Sequence, residues 1–236
     1  MNHRIWELDA IRGICILDMV LVHYVFDLID LLNLVSWSYP PLILFFLNWG
    51  GIFFLVLSGV CVTIGRKHIR RGIFVLLCGL MITFLTYGMH RLGFASKNIV
   101  IYFGILHCLG TCMILWQIFQ RLSNWTVAVV ALPMIALGLY LDTVTPAKNG
   151  WLLPLGILPP TIATADYFPL LPNLGYFLLG AFLGRILYRR HESLLPKIDP
   201  QIPILRFFRF CGRHSLAIYL LHQPIFFGIL LLWKAI

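Results

Sequence analysis

The 236-residue chain is too apolar to fold as a soluble domain. Hydrophobic residues make up 60% of it and charged residues 11%, whereas soluble domains carry roughly 25% charged residues. The net charge is +9, and cations that flank apolar runs are typical of membrane topology and of attraction to anionic lipid. The composition therefore predicts an integral membrane protein with lipid as a partner. It excludes a soluble enzyme, and nucleic acid is not expected as a partner.

Seven apolar runs are long enough to cross a bilayer. Because every backbone amide in lipid must be bonded within its own segment, runs of about 20 apolar residues are expected to be helices rather than strands. The segment 151–165 is apolar but is broken by Pro154, Pro159 and Pro160, which favours a re-entrant or surface stretch. We predict an all-α polytopic membrane protein that forms a single domain over residues 1–236, with spans at 11–32, 48–65, 72–90, 99–119, 126–141, 170–188 and 216–233.

Lys and Arg residues fall mostly on one side of these spans. With the N-terminus in the cytoplasm, only Arg91, Lys97, Lys148 and Lys234 of the 18 Lys and Arg residues lie away from the cytoplasmic side. Cytoplasmic loops of membrane proteins carry the excess of positive charge. The sequence thus predicts a cytoplasmic N-terminus and an extracytoplasmic C-terminus.

The six cysteines indicate packing rather than chemistry. They form no CxxC pair, and most of them lie inside apolar runs. Small, soft cysteine side chains are common in buried positions of this kind. We therefore expect neither a metal site nor a disulfide framework.

The first span carries ionisable side chains on one face. At 100° per residue, five of them share a stripe about 60° wide: Asp9, Arg12, His23, Asp27 and Asp30. An ionisable residue near the bilayer centre costs at least about 2.5 to 3.5 kcal/mol, so it usually faces a cavity and marks function. His23 and Asp27 are four residues apart, which is the spacing at which a carboxylate can orient an imidazole and raise its basicity.

Two further histidines are expected at the depth of His23. Counting about 1.5 Å per residue from the polar ends of their spans places all three roughly 13 to 16 Å into the bilayer. His107 and His222 could thus converge with His23 on one polar pocket. Ser215 and Tyr219 extend a polar face along the last span. A single histidine in a span can equally be an interhelical hydrogen-bond donor, so a structural role for His107 or His222 stays open.

Four blocks of the chain resemble one family of membrane acyltransferases. Residues 4–13 contain a Leu-Asp-x-x-Arg-Gly signature, and residues 50–59 form a Gly-Gly-Ile-Phe-Phe-Leu-Val-Leu-Ser-Gly block before a basic turn. Residues 103–107 read Phe-Gly-Ile-Leu-His, and residues 212–224 read Gly-Arg-His-Ser-Leu-Ala-Ile-Tyr-Leu-Leu-His-Gln-Pro. The first signature also occurs in O-acyltransferases of surface polysaccharides. The four blocks together, in this order, resemble the heparan-alpha-glucosaminide N-acetyltransferase catalytic-domain family in a bacterial-type form.

The resemblance implies transfer of an acyl group, typically acetyl, from cytoplasmic acetyl-CoA to a sugar amine or hydroxyl across the membrane. In that interpretation a neutral His23 takes the proton of the acceptor and Asp27 stabilises the imidazolium. His107 and His222 are the alternative bases. The residues expected to bind the donor acetyl-CoA are Arg12, Gly13, Arg66, Arg70, Arg213, Ser215 and Tyr219. The basic run from Arg66 is also explained as a topology anchor.

The resemblance further implies a bacterial plasma membrane protein that acts on a cell-envelope glycan, and a homo-oligomer is left open. In the lysosomal member of the family a histidine of the first non-cytoplasmic loop is thought to act, and residues 33–47 here contain none. Either the base has moved to His23, or this branch uses another chemistry.

Two other function classes stay open. Ionisable groups near the midplane and the broken segment around Pro159 and Pro160 would suit a proton-coupled transporter of a small solute. A non-catalytic membrane subunit is the third interpretation, and it leaves the polar stripe of the first span without an explanation.

Overall fold

A computed structural model gives the architecture of the protein, and it describes residues 5–31, 38–94, 96–143 and 150–235. Within these ranges the chain forms eight α-helices and no β-strand beyond one isolated bridge between Phe103 and Tyr167. The helices are α1 Trp6–Phe26, α2 Pro41–Ile64, α3 His68–Arg91, α4 Ile105–Phe119, α5 Asn124–Thr143, α6 Leu170–Leu187, α7 Pro203–Arg213 and α8 Ser215–Ala235. The prediction of an all-α protein is confirmed.

Four of these helices, α2, α3, α5 and α6, are long and apolar enough to cross a membrane. They correspond to four of the seven predicted spans. The other three predicted spans lie in α1, which carries Glu7, Asp9 and Arg12 in its first two turns, in the 15-residue α4, and in α8. The total of seven spans and the orientation of the termini therefore stay predictions.

The chain packs as two compact units, and the boundary between them falls within α2. The first unit comprises Met1–Phe54 and Arg190–Ile236, and it contains α1, α7 and α8. The second unit comprises Leu55–Arg189 and contains α3 to α6. The single domain over residues 1–236 stays a prediction.

In the first unit α1 crosses α7 at a pair of glycines. Gly13 of α1 lies against the backbone carbonyl of Phe208, and Gly212 of α7 lies against the carbonyl of Asp9. A Cβ atom at either glycine would overlap the facing backbone. Small residues let two helices approach this closely, as is common where helices pack in membranes. The two glycines thereby fix the crossing point of α1 and α7.

The segment that leads into α7 is attached to the start of α1 through Glu7. This side chain is 4% exposed and accepts hydrogen bonds from Ser193 Oγ at 2.9 Å and from the Leu194 amide at 2.7 Å. Hydrogen bonds to a charged acceptor are worth about 1.5 to 3 kcal/mol each. Glu7 therefore holds this segment firmly against α1.

In the second unit α6 packs on the C-terminal half of α2 in the same glycine-dependent way. Gly180 lies against the carbonyl of Val56, and Gly59 lies against the carbonyl of Phe177. A comparable crossing joins α3 and α4, where Gly110 lies against the amide of Leu76. Close backbone contacts thus set the packing of both helix pairs.

The end of α4 is closed by an arginine from α6. Arg185 donates through Nη2 to the carbonyl of Gln120 at 2.7 Å and through Nη1 to that of Leu122 at 2.8 Å, and its guanidinium lies 4.8 Å from the Trp116 ring centroid. Terminal carbonyls of a helix have no partner in the helix itself, and a cation near them is favourable. The side chain of Arg185 therefore has a structural role, which is to join the end of α4 to α6.

The segment before α6 does not form an eighth long helix. It contains a short 3-10 helix, Gly150–Leu155, followed by irregular chain to α6. Tyr167 donates to the carbonyl of Leu153 at 2.7 Å. Burial, assisted by the charge of Asp142, raises the pKa of Tyr167 to about 12, so the hydroxyl stays protonated as this bond requires.

Candidate active site

Two of the three predicted histidines meet in the first unit. The rings of His23 in α1 and His222 in α8 lie edge to face, with centroids 5.1 Å apart and planes at 80°. Nδ1 of His23 is 2.8 Å from the carbonyl of Met19, and Nδ1 of His222 is 2.6 Å from that of Tyr219. A carbonyl oxygen can only accept, so each neutral ring carries its proton on Nδ1 and its lone pair on Nε2. Both rings therefore have a basic Nε2.

Asp27 completes this cluster, one helical turn after His23. It is 1% exposed, and the side chain of Gln223, the neighbour of His222, hydrogen-bonds its carboxyl group. Asp27 Oδ2 and His222 Nε2 are buried and have no hydrogen-bond partner within the described ranges. An unsatisfied buried acceptor costs about 1 to 3 kcal/mol, so such atoms call for a functional explanation. The cluster offers acceptor atoms to a proton or to the donor group of a ligand.

The backbone is also unusual at Asp27, which opens a π-helical turn, Asp27–Leu31, at the end of α1. Turns of this kind are rare in proteins, and those that occur are often found at functional sites. The predicted role of Asp27 was to orient His23, but the Met19 carbonyl is the group that holds Nδ1 of His23. Asp27 as the partner of the imidazolium stays a prediction. The side chain of Asp30 lies outside the described part of the structure.

His107 belongs to the second unit and is fully engaged there. Its Nδ1 accepts the amide of Gly104 at 3.2 Å, and its Nε2 lies 3.2 Å from Thr83 Oγ1. Thr83 gives its own proton to the carbonyl of Ile101 at 2.6 Å, so Nε2 of His107 is the donor to Thr83. Both ring nitrogens are used, and the ring caps the first turn of α4. This geometry favours the structural interpretation of His107, because a base would have to give up the bond to Gly104.

Arg12 and Arg213 converge on one buried carboxylate. Arg12 Nη1 is 3.6 Å from Asp9 Oδ1, Arg213 Nε is 3.4 Å from Asp9 Oδ2, and Asp9 is 5% exposed. Two cations that face one anion keep an excess of positive charge, which favours binding of a further anion such as a phosphate. Gly13, the next residue after Arg12, contacts the backbone of α7 at the helix crossing.

The other predicted donor-binding residues are divided between the units. Ser215 begins α8, and the ring centroid of Tyr219 lies 5.6 Å from that of His222. Arg66 lies in the turn between α2 and α3, and Arg70 lies in the first turn of α3, both exposed in the second unit. Their roles stay predictions. In the described ranges no three His, Cys, Asp or Glu side chains form a group that could hold a metal ion.

Two polar residues of these sites are not among the predicted ones. Gln223, whose side chain hydrogen-bonds Asp27, follows His222 directly in the sequence. A second polar residue inside this apolar run is the sequence signal from which Gln223 could have been predicted. Asp166 lies in the irregular segment before α6 and accepts the amide of Ile105 at 3.0 Å, which completes the cap of α4 beside His107. Nothing in the sequence near Asp166 indicates that contact.

Comparison with known proteins identifies the family. The model of the family described as heparan-alpha-glucosaminide N-acetyltransferase, catalytic, matches residues 4–224, a range that contains His23, His107 and His222. Comparisons with curated proteins and with solved structures give no significant match. The matched range also contains all four blocks on which the resemblance rests. The chain therefore belongs to the heparan-alpha-glucosaminide N-acetyltransferase catalytic-domain family, and this membership implies an acyltransferase of the membrane.

Proposed function

We propose that the protein transfers an acyl group, typically acetyl, from cytoplasmic acyl-CoA to an amine or hydroxyl of a cell-envelope glycan on the other side of the membrane. Family membership supports the acyl transfer. The observation that carries the assignment of the reacting groups is the contact between His23 and His222 beside the buried Asp27. Four apolar helices support the placement in a membrane.

The reaction needs one group that takes a proton and later returns it. The acceptor nitrogen or oxygen attacks the carbonyl carbon of the thioester, the C–S bond breaks, and CoA leaves as a thiolate. His23 is the proposed base, because it is only partly buried whereas His222 is 7% exposed. Its Nε2 takes the proton that the acceptor loses and then gives it to the thiolate, which restores the neutral imidazole and yields CoA with a free thiol.

The neighbours of His23 suit a cluster that carries one extra proton. Two imidazoles whose centroids are 5.1 Å apart repel each other when both are charged, so the pair holds one proton more readily than two. The carboxylate of Asp27 compensates that single positive charge, and Gln223 keeps the carboxylate in position. His222 then faces the imidazolium as a neutral ring.

The proposal is tested with purified protein in lipid nanodiscs that receives acetyl-CoA and a glucosamine-containing acceptor. Free thiol and acetylated product are measured together. His23→Gln is expected to lower the rate by about 10² to 10⁴-fold while acetyl-CoA binding is kept, because general-base catalysis contributes that much and binding rests on other residues. Asp27→Asn is expected to cost less.

His214→Gln is the matched control, since His214 is an exposed histidine of the same unit whose Nδ1 donates to the carbonyl of Phe210. It should keep the normal rate. If His23→Gln is folded and active while His222→Gln is inactive, His222 is the base. Movement of protons with a solute, without any thiol release, would instead establish the transporter.

A further inference from the structure

Helix α7 has an apolar stripe that faces away from α1. On its inner side Phe208 and Gly212 contact α1. On its outer side Ile204, Phe207 and Phe210 are 57%, 52% and 59% exposed. Three large apolar side chains on one short helix are unfavourable in water, and an amphipathic helix of this kind typically lies in the interface of a membrane. The stripe is therefore expected to face lipid.

An open groove of about 360 Å³ lies on this stripe, and both polar and aromatic side chains line it. It is lined by Gln201, Pro203, Arg206, Phe207 and Phe210. The four lining residues within α7 follow the i, i+3, i+4, i+7 spacing, so they share one face of the helix. A guanidinium and an amide thus lie next to two exposed aromatic rings.

Among the residues that the structure describes, the side chain of Arg206 has no partner, unlike those of the other two arginines of α7. Arg209 donates to the carbonyl of Pro200 at 2.7 Å, and Arg213 reaches Asp9. Within the described ranges the side chain of Arg206 makes neither a hydrogen bond nor an ion pair. A charged side chain next to lipid is costly unless it pairs with an anion or reaches the headgroups. The stripe therefore carries an exposed cation whose side chain has no partner among the described residues.

We propose that this groove binds the phosphate of an anionic phospholipid, with Arg206 on the phosphate, Gln201 on the headgroup and an acyl chain along Phe207 and Phe210. The charge of the surrounding segment favours an anionic over a zwitterionic lipid, because basic residues outnumber acidic ones there. The basic residues of 190–213 are Arg190, Lys197, Arg206, Arg209 and Arg213, and the acidic ones are Glu192 and Asp199. This site is separate from the acyl-transfer proposal and does not depend on it.

Native mass spectrometry of the full chain tests the site, with phosphatidylglycerol and phosphatidylcholine offered in equal amounts and no acetyl-CoA present. The unmodified protein is expected to retain phosphatidylglycerol preferentially. Arg206→Gln should lower that retention by about tenfold, the effect of losing one charge-assisted contact. Arg121→Gln is the matched control, because it removes the same charge from an exposed turn after α4. It should leave the retention unchanged.

Equal retention by Arg206→Gln and Arg121→Gln would overturn the proposal. So would a loss of CoA affinity in Arg206→Gln with unchanged lipid retention, because the groove would then belong to the donor nucleotide. If Arg206→Gln fails to fold, Arg206→Lys replaces it. That variant keeps the charge but loses the two-pronged contact, and it should show a partial loss of phosphatidylglycerol. Full retention by Arg206→Lys together with full retention by Phe207→Ala would also contradict the site.

Discussion

Nδ1 of His23 and Nδ1 of His222 donate hydrogen bonds to the carbonyls of Met19 and Tyr219. Nδ1 of His107, in contrast, accepts a hydrogen bond from the amide of Gly104. The ring proton is therefore on Nδ1 in His23 and His222 and on Nε2 in His107. A ring protonated on Nδ1 keeps the lone pair of Nε2 for chemistry, and a ring that accepts on Nδ1 has its lone pair already used. The three residues share a depth in the sequence-based estimate, but their hydrogen bonds give them different chemistry.

Arg12→Ala is expected to weaken the binding of acetyl-CoA by roughly 1.5 to 3 kcal/mol, which is about 10 to 150-fold in Kd. Without Arg12 one of the two cations that face Asp9 is lost, so the positive charge that favours a phosphate is reduced. Isothermal titration of the purified protein measures the effect. Arg12→Lys keeps the charge and should lose less. An unchanged Kd in a folded Arg12→Ala protein would make Arg12 a packing or topology residue.

The site could be predicted from sequence only where the relevant spacing lies within one helix. The four-residue separation of His23 and Asp27 fixes their proximity without any knowledge of the fold. The contact of His23 with His222 and the bond of Gln223 to Asp27 depend on which helices are neighbours. That information is not contained in periodicity or depth, and so Gln223 was not predicted.

Helix α7 is the long-range packing partner of α1 that the pattern of long apolar runs does not predict. It has 11 residues and alternates arginines with aromatic side chains, so it lacks the length and the hydropathy of a span. Pro203 at its start and the helical spacing of its apolar residues are the signals of a short amphipathic helix. The predicted last span begins directly after it, in α8.

Gly13→Ala is expected to destabilise the protein by about 1 to 3 kcal/mol, because the added methyl group overlaps the α7 backbone and forces the crossing apart. Thermal unfolding in detergent, followed by tryptophan fluorescence, measures this as a lower Tm. Gly88→Ala in α3 is the matched control, since nothing lies within 4 Å of a Cβ there. It should be neutral or stabilising by up to about 1 kcal/mol.

A different result would support the role of Gly13 that the sequence predicts, which is binding of acetyl-CoA. If Gly13→Ala unfolds at the normal temperature but loses acetyl-CoA binding, the glycine serves the donor rather than the helix crossing.

Over the whole molecule, the four helices that are long and apolar enough to be spans are not the helices that carry the three candidate histidines. Length and hydropathy identify α2, α3, α5 and α6 as spans, and these helices contain none of His23, His107 and His222. The histidines lie in α1, α4 and α8, which are the predicted spans that stay unconfirmed. Of these, α4 and the described apolar part of α8, Ser215–Phe226, are apolar but short, whereas α1 carries Glu7, Asp9 and Arg12 in its first two turns. Sequence therefore predicts helices at all seven places, and the crossing of the membrane by α1, α4 and α8 stays a prediction.

The predicted topology is tested by single cysteines in a background from which the six native cysteines are removed. Cysteines at Ile69 and Glu192 should be labelled only from the cytoplasm, and one at Trp151, which is 90% exposed, only from outside. Glu192 is preferred to Ser193 because Ser193 holds Glu7. A membrane-impermeant maleimide on intact cells and on inverted vesicles makes the measurement. Labelling of all three sites from the same side would contradict the seven-span topology.

The bond from Glu7 to Ser193 and Leu194 joins positions at opposite ends of the chain, and so do the glycine contacts of α1 with α7. The second unit, Leu55–Arg189, is by contrast a continuous stretch. A ribosome therefore delivers every part of the second unit before α1 can meet α7 and α8. At about 5 to 20 residues per second that interval is on the order of ten seconds. During this time α1, with His23 and Asp27, lacks the helices that complete its unit.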